Sequence, residues 1–137
     1  VGWWLCWSAW WWALHICRRV CAGVTSCKGE GLSRGQLQMW RREGERCIRE
    51  GRRVAQLALT DGLKRWGRHP AVAGVFVANE IPSDMVRWMG VMKVRRALEA
   101  LIELGRSKSP KLLYAYANFP TTEYMEPDNA DFTAMNV

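Results

Sequence analysis

The sequence predicts an α/β fold with parallel strands, ordered helix, strand, helix, strand, short connection, strand. Two observations carry this. Strand-like runs such as Val75, Phe76 and Val77 are apolar on both faces, as in a parallel sheet covered by helices; an antiparallel strand with one wet face would alternate. Segments with apolar residues at helical spacing separate those runs, and such alternation builds either a barrel or a doubly wound sheet. At 137 residues the chain holds at most one ordinary domain, with enough length to bury a core.

"VAQLALTDGLKRWG" places Ala55, Leu59, Leu63 and Trp66 at i, i+4, i+8 and i+11, a helical stripe with Gly67 set to end it. Pro70 forbids continuation of that helix, and the run 71–79 reads as a strand. In "VMKVRRALEALIELGRSKSP", Val94, Leu98, Leu101 and Ile102 form the buried stripe, with Gly105 as the expected cap and Pro110 beyond it. Residues 112–118 and 131–137 supply two further strand-like runs.

Each strand ends in polar residues: Asn79 and Glu80, then Asn118, then Asn136. In parallel α/β folds the carboxyl ends of the strands are where sites are built, so these residues are expected on one rim. They also mark where apolar strands simply stop and loops begin. The segment after the first strand is "EIPSD", not a Gly-rich phosphate loop, which counts against a nucleotide-binding sheet.

Residues 1–53 have a different composition. They carry ten basic and four acidic groups, net +6, whereas residues 54–137 carry ten and nine, net +1. All five Cys (Cys6, Cys17, Cys21, Cys27, Cys47) and seven of the nine Trp also fall in that first part. "WWLCWSAWWWALHIC" has about the minimum length for a membrane span, but Trp favours the bilayer interface, so membrane association of residues 1–17 is not expected. With neither a starting Met nor a basic stretch before the apolar run, a signal peptide is not expected. His15 with Cys17, Cys21 and Cys27 can be drawn as a zinc site, yet no C-x-x-C pair supports it, and unpaired thiols are the better expectation. Arg42, Arg46, Arg49 and Arg53 share a helical face; a solvated surface is the plainer reading beside a nucleic-acid or anionic-membrane patch. Trp, Cys, Arg and Gly have G-rich codons, and a GC-rich gene read out of frame yields this mixture. Much of residues 1–53 is therefore expected not to be a selected protein sequence, and sequence alone assigns this region no function.

"GRHPAVAGVFVANEIPSDMVRWMG" and "YANFPTTEYMEPDNADFTAMNV" resemble the TIM-barrel glycoside hydrolases of the large retaining clan that includes family-two β-galactosidases and β-glucuronidases. The nearest likeness is to a bacterial branch that accompanies glycosyltransferases. The resemblance covers residues 54–137 and rests on H-P-A-V, an apolar strand, then Asn-Glu. It implies a partial (β/α)8 barrel spanning strands four to six, with an irregular amino-terminal third. It makes Glu80 the general acid/base and Asn79 the contact to the sugar 2-hydroxyl. Asn118 and Asn136, at the other strand ends, are further carbohydrate-binding candidates, and Trp88, Tyr124 and Tyr114 offer stacking faces, with core or loop packing the plainer reading for each and Trp88 the best placed. The apolar end of the strand is expected to give Glu80 a dry environment. A retaining enzyme needs a second carboxylate roughly 5 Å away. In the clan that group comes after the seventh strand, which this chain does not reach, and Glu123 and Glu126 fall in the loop after the fifth. The partner implied is an oligo- or polysaccharide, alongside a glycosyltransferase module; no cofactor, metal or nucleic acid is implied, and His69 beside Pro70 is read as structural. A non-catalytic carbohydrate-binding or regulatory barrel is the alternative function, and a basic membrane or nucleic-acid segment a weaker one.

Overall fold

The structure, a computed structural model, describes residues 34–136. The Trp-rich run and the four cysteines before residue 34 lie outside the described residues, as does the zinc site that could be drawn there. Among the described residues the order is α1 (Arg34–Trp66), β1 (Gly74–Asn79), α2 (Ser83–Met89), α3 (Val91–Lys108), β2 (Leu113–Asn118), a 3-10 helix (Pro120–Met125) and β3 (Ala134–Met135). The strands form one parallel sheet in the order β1-β2-β3.

This corrects the expected partial (β/α)8 barrel. Closing a barrel takes eight tilted strands in a fixed stagger. Among the described residues three strands make a small open α/β sheet with β1 at its edge. Helices cover one face, where Val75 and Val77 of β1 and Tyr114 and Tyr116 of β2 join the core with α1, α2 and α3. Neighbouring residues alternate faces, and on the other side Phe76 meets Phe132 edge-on, ring centroids 5.8 Å apart.

The position of β1 is a second correction. A run apolar on both faces suits the middle of a covered sheet, but the burial of β1 is partial, with Gly74 exposed and Val75 and Phe76 half-buried. The central strand is β2, buried from Tyr114 to Asn118. Apolar content marks what a strand can bury; pairing on both sides decides what it does bury.

Of the predicted helical stripes, Val94, Leu98, Leu101 and Ile102 are all buried on α3, and Ala55, Leu59 and Leu63 are buried on α1. Trp66 is not: it is about half exposed at the end of α1, edge-on to His69. His69 is exposed, its Nδ1 accepting the Ala71 N–H at 3.2 Å. α1 runs unbroken across residue 53, and Gly44 and Cys47 continue its buried side toward the amino end. Gly105 does not cap α3, which continues to Lys108. It is small because the Tyr114 ring lies where a Cβ would go, and the Tyr114 hydroxyl donates to Gly105 O (2.8 Å) or Ser109 O (3.0 Å).

Candidate functional site at the carboxyl edge of the sheet

Local irregularity shapes the end of β1. Between the pairs Phe76↔Ala115 and Asn79↔Ala117, β1 uses three steps where β2 uses two, a β-bulge. Bulges bend a strand and re-aim the residues beyond them. Directly after it, Glu80 adopts a left-handed backbone, φ 41°, and is the one non-glycine residue with positive φ among those described. For an L-residue that conformation costs about 1–2 kcal/mol and persists only when its surroundings impose it.

Two hydrogen bonds impose it here. The Glu80 N–H donates to Ala117 O at 2.9 Å, and the next amide, Ile81 N–H, donates to the Tyr116 hydroxyl at 2.9 Å. Tyr116 is fully buried. Burial pushes its phenol up to about 12, against the opposing effects of the Ile81 and Thr122 hydrogen bonds. A neutral hydroxyl is therefore locked beneath the Glu80 turn.

Above the turn, the structure brings three of the expected rim residues together. Asn136, next to β3, donates through Nδ2 to Glu80 Oε1 at 2.6 Å and to Asn79 Oδ1 at 3.2 Å. Its own N–H donates to Asn118 O at 2.9 Å, which seats it over the end of β2. The carboxylate is exposed and meets an amide, so the dry surroundings expected for Glu80 are not what the strand provides.

The other candidates are placed differently. Asn118 is fully buried and faces inward: its Oδ1 accepts from Thr122 Oγ1 (2.7 Å) and Phe119 N (2.9 Å), and its Nδ2 donates to Glu126 Oε2 (3.2 Å). Burial raises the Glu126 carboxyl above the usual range, opposed by Asn118 and by Arg95. Its second oxygen, Oε1, is buried without a hydrogen-bond partner. Trp88 packs half-buried against Gly44 of α1, with Nε1 buried and unpartnered, so it belongs to the α1–α2 seam. Tyr114 lies in the core against α3. Tyr124 is half-exposed on the 3-10 helix and forms no hydrogen bond or ring contact with Asn79, Glu80 or Asn136. Glu123 is exposed on the same helix.

Sequence reasoning does not pick out Tyr116 and Thr122, which hold the site from below. The "YAYAN" alternation carries a trace of Tyr116, because every second side chain of a strand shares a face. Nothing local announces the bulge. Among the described residues no cluster of His, Cys, Asp or Glu could hold a metal ion, and no helix is long and apolar enough to cross a membrane. An exposed carboxylate flanked by two amides can accept and donate hydrogen bonds to a ring of hydroxyls and can exchange a proton with solvent or ligand. No family model, curated protein or solved structure matches this chain.

Proposed function

We propose that the Asn79–Glu80–Asn136 rim binds a carbohydrate and that Glu80 is the general acid/base of a retaining O-glycoside hydrolase. The observation that carries this is the convergence of Asn136 Nδ2 on both Glu80 Oε1 and Asn79 Oδ1 at the carboxyl edge of a parallel sheet. Amides and a carboxylate are the groups that match sugar hydroxyls, and the imposed backbone at Glu80 supports a working role for it. In this role the protonated Glu80 carboxyl gives its proton to the departing glycosidic oxygen, and the carboxylate later takes one from the attacking water. Asn136 orients the carboxylate, and Asn79 holds the sugar hydroxyl next to the reacting carbon. The chain then supplies one of the two carboxylates that a retaining mechanism uses.

Binding without catalysis is the second reading. One observation favours it: Glu80 is the sole carboxylate among the hydrogen-bonded rim residues, while Glu126 has one oxygen buried and the other on Asn118.

Titration with a β-linked disaccharide, followed by the side-chain amide NMR signals of Asn79 and Asn136, should shift both. Glu80→Gln should keep those shifts and slow hydrolysis of alkyl β-glycosides, whose leaving group needs a proton, by about 100- to 10,000-fold. Turnover unchanged in Glu80→Gln would sink the catalytic assignment. Shifts with no turnover in either protein would favour binding alone, and absence of shifts would remove both readings.

A further inference from the structure

Of the arginine face that in sequence looks like a solvated surface, Arg49 alone lines a hollow of the fold, joined there by Arg52, and neither has a part in the carbohydrate reading. The fold changes their company. α1 packs along α3, and an open hollow of about 290 Å³ lies between them. Arg49 and Arg52 enter it from α1, and Lys93 and Arg96 from α3, over a floor of Ile48 and Ala97. Among the described residues the acid on the lining is Glu45, already engaged by Lys93 Nζ at 3.0 Å. Among the described residues Arg49, Arg52 and Arg96 form no ion pair. Four exposed cations around a small open volume with one paired acid repel one another, and a bound anion relieves that repulsion.

We propose that this hollow binds an oligophosphate, a compact soluble anion of several linked phosphate groups. Three guanidinium groups favour phosphate, because their planar forks match its oxygens in pairs, which an ammonium does not. The cations are spread along two helices, which suits a short chain of charges better than a single anion. The volume is at the lower end of small-molecule sites, which fits a compact ligand. The site is independent of the Glu80 rim, so either assignment can fail without the other.

Inorganic triphosphate is the probe, titrated calorimetrically into the chain at about 50 mM salt. It should saturate at one per chain and weaken as salt is added. The double variant Arg52→Gln with Arg96→Gln, both at exposed positions, should weaken binding at least tenfold. A control pair, Arg65→Gln with Arg68→Gln, removes the same formal charge at and just beyond the far end of α1, Arg65 lying roughly 20 Å from Arg52 at about 1.5 Å per helical residue, and should change affinity less than twofold. Absence of saturation, or equal loss in both pairs, would overturn the site. So would binding to phosphatidylserine vesicles that triphosphate does not displace, which would make the surface a lipid contact.

Discussion

β1 and β2 both run apolar residues into an asparagine, yet the two asparagines have opposite fates. Asn79 ends an edge strand, half-exposed, and presents Oδ1 to Asn136 on the rim. Asn118 ends the central strand, fully buried, with its amide committed to Thr122, Phe119 and Glu126. The segment leaving each strand makes the difference. After Asn79 the chain turns left-handed at Glu80 and departs into α2, so the strand end stays open. After Asn118 the 3-10 helix folds back and delivers Thr122 and Glu126 onto the amide just passed. One strand end becomes a surface that can meet a ligand, and the other becomes the support beneath it.

That contrast can be broken, beginning with the support. Tyr116 ionises near pH 12 when folded and near 10 when free, so the folded state holds its proton more tightly. Its contribution is intact below about pH 10 and is lost as pH rises toward about 12, a fall of about 2–3 kcal/mol. Urea unfolding at stepped pH should show the decline. Tyr116→Phe should remove that share, leaving a smaller one from Tyr114, whose phenol burial also raises.

Gly105→Ala probes the central strand from its helix side. Alanine favours helix, but its methyl would enter the Tyr114 ring, which is buried and tethered through its hydroxyl. Overpacking should dominate and cost about 1–3 kcal/mol in a denaturant titration; a gain in stability would show that β2 has slack.

The asparagines give the direct comparison. Asn118→Ala strands the Phe119 N–H and a Glu126 oxygen and leaves the Thr122 hydroxyl its longer bond to Phe119 O, and should cost about 1–3 kcal/mol. Asn79→Ala should stay within about 0.5 kcal/mol while abolishing the saccharide-induced shift of the Asn136 amide. Equal costs would erase the distinction between support and rim.

The smallest effect expected is a gain. Glu80→Gly relieves the left-handed backbone and should raise thermal stability by up to about 1 kcal/mol, less the lost Asn136 bond. A loss larger than that would mean the turn is not strained.

The site is partly legible in the chain. Asn79, Glu80 and Asn136 can be named because polarity at the end of an apolar run is a local signal, and parallel strands place such ends on one edge. Asn118 carries the same signal and is structural, since the fold-back that buries it involves Thr122 and Glu126, four and eight residues on. Trp88 is close to Glu80 in sequence, but α2 turns it toward Gly44. Tyr116 escapes notice because its hydroxyl partner, Ile81 N–H, lies 35 residues away.

By itself the sequence determined the α/β class, the buried stripe of α3 and the collection of polar strand ends on one edge. Each depends on the period and polarity of neighbouring residues. Only the tertiary structure decided that the sheet of the described residues is open, that β2 and not β1 is central to it, and that Gly105 makes room for a ring instead of ending a helix. It also joined the cations of α1 to those of α3. These are outcomes of pairing between distant segments, and periodicity within a segment carries no record of its partner.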